Sequence, residues 1–168
     1  MEIRDTRRVD PNLLLEFFLT FARFEYALKA TGFFVRPRND RPHVVHEAKP
    51  AWDRFAVSLR NVFLTDVNAD VAEACRFLSE SPPDKQVIIN EQPGWETQAR
   101  KPADSEIEFL LRMIRCVRNN LFHGAKHNLE IHATRDRTEK LLLSSLVILK
   151  NCLALKPDQK RAYDEATL

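Results

Sequence analysis

At 168 residues the chain has the length of one compact domain, expected to span 1–168 and large enough to bury about 70% of its unfolded surface. Apolar residues at 44% and charged residues at 30% exclude wholesale disorder. A net charge of +2 excludes a polybasic nucleic-acid binder, so any contact with nucleic acid must go through a local patch. Cys75, Cys116 and Cys152 are odd in number, widely spaced and set in apolar runs. That fits buried free thiols in a reducing cytosol better than a disulfide framework. No apolar run reaches the roughly 20 residues that span a bilayer, and MEIRDTRRVD has no apolar signal core. A cytoplasmic protein without a membrane partner is expected.

In chain order, Pro11 to Ala30 reads as a first helix, with Pro11 at its start and Gly32 just past its end. From Gly32 to Glu47 the composition turns basic and proline-rich (Arg36, Pro37, Arg38, Arg41, Pro42), which predicts a loop. A second helix is expected from Pro50 to about Phe63. A third runs from Asn68 to about Ser79 and is stopped by Pro82 and Pro83. Gln86 to Gln98 (QVIINEQPGWETQ) joins a β-branched run to a Pro-Gly turn, the pattern of a small hairpin. Pro102 to Phe122 is a strong helix ended by His123-Gly124. Thr134 to Leu155 is another, stopped by Pro157, and the polar tail beyond is expected to be peripheral. The fold class is therefore all-α: a bundle of four main helices with short extra elements, its core within about 11–155.

Two charges fall where apolar residues belong. At about 100° per residue, Ile107, Leu110, Leu111, Ile114, Val117, Leu121 and Phe122 lie within roughly −100° to +40° of Arg118. In the first helix Leu14, Phe17, Phe18, Phe21, Phe24 and Leu28 form one stripe, with Glu25 near its middle. An unpaired buried charge is costly, so Glu25 and Arg118 are expected to pair, Glu25 holding the guanidinium at the floor of a cleft. An Arg that snorkels to the edge of the core is the structural alternative. The same helix carries a second apolar strip, Phe109, Met113 and Cys116, roughly opposite the first. Either the bundle or a second subunit must cover it.

From Phe109 to Leu129 the chain contains Arg112, Arg115, Arg118 and Lys126 and no Asp or Glu, which makes a local basic patch around His123 and His127. Histidine serves as acid or base near neutral pH, and arginine holds a phosphate through two parallel bonds. Metal-free cleavage of RNA uses both. A base takes the ribose 2′-OH proton, an acid protonates the leaving 5′-oxygen, and a cation offsets charge building on phosphorus.

The stretch VRNNLFHG, Val117 to Gly124, resembles the R-x4–6-H motif of the HEPN domains (higher eukaryotes and prokaryotes nucleotide-binding). Arg118, Asn119 and His123 match that pattern position by position, with the polar residue directly after the arginine. The motif helix followed by one more long helix, and the opening stretch FARFEYALKATGFF from Phe21 to Phe34, are similar to the family's architecture. The resemblance is specific over about eight residues and architectural over the rest. It implies a helical bundle acting as a homodimer, two motifs facing one another across a cleft. It also implies a metal-independent endoribonuclease of toxin–antitoxin or antiviral defence systems, with RNA as substrate and a cognate antitoxin as a candidate partner. In this reading Arg118, Asn119 and His123 are catalytic, Glu25 is supporting, and Arg112, Arg115, Lys126 and His127 contact RNA. The alternative is a non-catalytic module of the same fold that binds RNA, a nucleotide or a protein.

No cofactor and no metal are expected. His123 and His127 have helical spacing, but Gly124 stands between them and no acidic residue is near to complete a ligand set, with His132, His43 and His46 elsewhere. No P-loop, G-x-G-x-x-G or G-x-S-x-G pattern occurs. Trp52 and Trp95 are aromatic enough to stack bases, with core packing as the ordinary role.

Overall fold

A computed structural model describes residues 9–36, 45–122 and 135–167. Within them the chain is mostly helical, with six helices and one small antiparallel hairpin. Helix α1 spans Pro11–Ala30. Its start is set by the Asp10 carboxylate, which accepts from the Asn12 N–H, and by Pro11, whose missing N–H costs nothing there. Its end is a Schellman turn. Gly32 takes φ +87°, the Phe33 N–H donates to Leu28 O at 2.8 Å, and the Gly32 N–H donates to Lys29 O at 3.3 Å.

The chain leaving α1 pairs with the chain entering α2, Trp52–Leu59. Phe34 bridges Pro50, and N–H groups of Val35 and Ala51 bond to Lys49 O and Phe33 O. This clasp brings aromatic side chains of α2 against those of α1 and builds a cluster. The Trp52 ring stacks on Phe24 at 5.2 Å and 3°, and Phe55 meets Phe24 and Phe33 edge-on. Trp52 is therefore a core residue, only 4% exposed, and takes the packing role. Helix α2 is shorter than its apolar run predicted, because residues 60–66 continue as turns.

Helix α3, Ala69–Glu80, is capped by Asn68, whose side chain accepts from the Val71 N–H, and packs along α5, Arg135–Ala154. Between α3 and α4 stands the hairpin, β1 Lys85–Ile89 and β2 Gln92–Glu96, in the register Lys85↔Glu96 to Ile89↔Gln92. Its turn is Asn90-Glu91, both at positive φ (48° and 64°), the geometry of a two-residue turn that matches strand twist. The expected Pro-Gly turn is thus corrected: Pro93 and Gly94 lie within β2. An added Cβ at Gly94 would stand 2.8 Å from Ile89 Cδ1, so this glycine permits a close approach between strands.

Helix α4, Glu106–Phe122, begins four residues later than Pro102. The sequence Ser105-Glu-Ile-Glu108 has the spacing of a capping box, and Glu108 accepts from both the N–H (2.9 Å) and the hydroxyl (2.6 Å) of Ser105. Helix α5 is followed by α6, Pro157–Glu165. The tail is polar as read, but it is not peripheral. It packs on α1: Gln159 is buried and donates to Thr31 Oγ1, and the Arg23 guanidinium donates to Tyr163 O while lying 4.3 Å from the Tyr163 ring. The core therefore extends past Leu155. Buried residues of α1 to α5 form one continuous cluster, and Cys75, Cys116 and Cys152 are free and buried within the molecule.

One ion pair joins the α2 end to the start of α4 and sets a pH response. Arg60 donates two bonds to Glu108 (2.9 and 2.7 Å), and these with the Ser105 bonds depress the Glu108 carboxyl to about 2. A depressed acid stabilises the fold above its unfolded pKa and loses that contribution as pH falls through the folded value. Acid titration of wild type should lose stability between about pH 4.5 and 2, and Glu108→Gln should flatten that segment. An unchanged profile in the variant would show that the pair is not formed in solution.

Candidate functional site

The candidate site is the exposed side of α4 and the groups that flank it. The buried residues of this helix run from Cys116 through Phe109, Met113, Val117, Leu110, Ile114 and Ile107 to Leu111, roughly 220° of its circumference. The second strip expected to meet a partner subunit is covered by the chain itself: Phe109, Met113 and Cys116 are 2%, 0% and 8% exposed. The hairpin end contributes to that cover, since Asp84 O accepts from Asn120 Nδ2 at 2.7 Å and lies 3.5 Å from Cys116 Sγ.

Arg118 sits at the edge of the buried arc and is half-buried. Its guanidinium lies 4.4 Å from the centre of the Phe122 ring and 5.7 Å from that of Phe21, and Nη1 donates to Asn119 Oδ1 at 3.1 Å. Phe122, 57% exposed, rests edge-on against Phe18 of α1 at 4.7 Å. The expected pairing with Glu25 is corrected. Glu25 accepts from the Trp52 indole N–H at 3.2 Å, and no ion pair joins it to Arg118. Both charges sit at the borders of their stripes, where each side chain reaches solvent, so neither needs the other.

The remaining arginines of α4 are differently placed. Arg112 donates to Asp104 Oδ2 at 2.6 Å and to Ala99 O at 3.1 Å, which ties the preceding loop to the helix and holds the Asp104 carboxyl below its ordinary range against an opposing effect of desolvation. Arg115 stands 3.6 Å from the fully exposed Asp53 of α2. The patch is thus less basic in space than in sequence, because both carboxylates arrive from outside the acid-free stretch. Arg60, Arg76, Arg100, Arg112, Arg115, Arg135 and Arg161 all hold carboxylates, whereas Arg118 holds an amide and two ring faces. Its other N–H donors stay available for an anion.

His123, Lys126 and His127, together with Gly124 and His132, lie outside the described residues, as do Arg38, Arg41 and His43 of the basic loop. Among the described residues no group of three or more His, Cys, Asp or Glu is placed to hold a metal ion, and no helix is long and apolar enough to cross a membrane. Burial pushes the Cys116 thiol up to about 11, which makes it a poor nucleophile at neutral pH. The chain matches no family model, no curated protein and no solved structure.

Sequence reasoning missed the neighbours that matter most here. Trp52 takes Glu25, Phe21 and Phe122 hold Arg118, and Lys85 and Gln86 of the hairpin stand beside α4. Only Phe122, four positions from Arg118, carried a helical-spacing signal. A double-mutant cycle checks the corrected geometry. Arg118→Met should cost about 1–2 kcal/mol for two cation–π contacts, Glu25→Gln less than about 1, and the two should add to within about 0.5 kcal/mol. A coupling above about 1 kcal/mol would mean that the two side chains do meet.

Proposed function

We propose that the chain is a metal-independent endoribonuclease of the HEPN type, serving as a cytoplasmic toxin or phage-defence component. The observation that carries this reading is the state of Arg118. A fixed guanidinium without a carboxylate partner, one residue before an amide that orients it and five before His123, has the elements for gripping a phosphodiester. In this mechanism Arg118 binds a non-bridging phosphate oxygen and offsets the charge that grows on it during attack by the 2′-OH. His123 takes the 2′-OH proton or protonates the departing 5′-oxygen. Asn119 positions Arg118. Glu25 has no direct part; it fixes Trp52, which packs beside the Phe21 ring under the guanidinium.

A single histidine supplies an acid or a base, and a two-fold dimer brings a second copy of it. The dimer surface we favour is the outer face of α1 rather than the strip on α4. Leu15, Leu19, Ala22 and Tyr26 recur at spacings of four, three and four, all exposed, on the side of α1 away from its buried Phe17, Phe24 and Leu28. Phe18 and Phe122 carry this apolar face on to Arg118. A cognate antitoxin would mask the same surface.

The test is incubation of the purified protein with total RNA and tRNA in EDTA. Wild type should cleave, and His123→Ala should fall by roughly 10²- to 10⁴-fold. Arg118→Ala should also be inactive, and Leu19→Glu should yield a monomer by light scattering with reduced cleavage. RNA binding without cleavage would favour the non-catalytic module. Cleavage that needs an added divalent metal would overturn the mechanism.

A further inference from the structure

On the flank of α4 next to the hairpin lies a hollow of about 410 Å³, whose lining includes Lys85, Gln86, Gln98, Arg115, Asn119 and Asn120. Its geometry is stiff, because Asn120 Nδ2 and the Cys116 thiol both approach Asp84 O and fasten the start of β1 to the helix. Two cations of this hollow can turn to a ligand. Lys85 is exposed and, although opposite Glu96 in the ladder, forms no ion pair with it, and Arg115 meets only a 98% exposed carboxylate at 3.6 Å. Two amide groups are also open: the side chain of Gln86, and the NH2 of Asn119, whose oxygen is taken by Arg118.

Cations beside open amides suit a ligand with a negative backbone and a hydrogen-bonding edge. We propose that the hollow takes one unpaired nucleotide of RNA. Lys85 and Arg115 hold its phosphate, and Gln86 and Asn119 meet its base edge next to Arg118. This rests on the ribonuclease reading and narrows its substrate to single-stranded or looped RNA. A base within an A-form duplex has its Watson–Crick edge occupied, and the deep major groove keeps side chains out. A volume of about 410 Å³ is of small-ligand size and suits a single nucleotide. Arg112, spent on Asp104, has a structural role at the far end of the hollow.

The experiment uses full-length His123→Ala protein and a fluorescein-labelled 14-nucleotide RNA of mixed sequence, alone and annealed to its complement, followed by anisotropy across a salt series. The single strand should bind at least about tenfold more tightly than the duplex. Lys85→Ala and Gln86→Ala, both at exposed positions, should each weaken single-strand binding by roughly 3- to 10-fold. Lys85→Ala should also lower the slope of log K against log salt by about 0.7. Equal affinity for the duplex, or no effect of either variant, overturns the proposal. Cleavage of the same RNA by wild type is measured separately. Cleavage with binding indifferent to Lys85 and Gln86 removes the hollow and leaves the ribonuclease. Binding that depends on both residues, without cleavage, leaves the hollow and removes the ribonuclease.

Discussion

Helix α4 is packed around most of its circumference, and the rest of the molecule is arranged by that burial. Helices α2, α3 and α5 and the first hairpin strand all meet it, so its apolar residues cannot be confined to a narrow stripe. What remains is an outer arc of roughly 140°, which leaves little room for polar groups on the helix. Arg112, Arg115, Asn119 and Phe122 share it, and Arg118 stands just beyond its border, next to Leu111. A platform of this kind is rigid, because truncating a buried residue such as Leu110 or Ile114 leaves a cavity that costs about 2–5 kcal/mol. The site takes its precision from the core beneath it.

Much of the fold was legible because local rules govern it. Pro11 and Gly32 bound α1 as their capping chemistry requires, and Asn68 starts α3 in the same way. The hairpin was legible from its β-branched run, but its turn was not. Pro-Gly is the stronger textual signal, yet two positive φ values at Asn90-Glu91 suit the twist of the strands and leave Pro93 and Gly94 in register. Pro102 misled in the same way, since the Ser105–Glu108 contact decides where α4 begins. The polar composition of 157–165 concealed a helix held to α1 by one buried glutamine and one stacked arginine.

The geometry of the candidate site was legible only in part. A helical wheel gives the angle of Arg118 but not the width of the buried arc, so a residue at the border reads as one in the middle. That misreading created the need for a Glu25 partner, which the Trp52 indole and the Phe21 and Phe122 rings remove. The acid-free run around the motif also overstated its charge, since Asp53 and Asp104 are brought in by the fold. Among the three arginines of α4, Arg118 stands apart by having no carboxylate to displace before an anion binds.

The proposed chemistry is attack on a phosphodiester by its own 2′-OH, with Arg118 and His123 in place of a metal. The most direct measurement is the mass of the 3′-terminal group on fragments produced in EDTA from a defined RNA oligonucleotide. A 2′,3′-cyclic phosphate, absent when a 2′-deoxy residue replaces the nucleotide at the cut, is the predicted result. A 3′-hydroxyl end, or a cut unaffected by the 2′-deoxy substitution, would contradict it, because the attacking group would then be water and not the ribose.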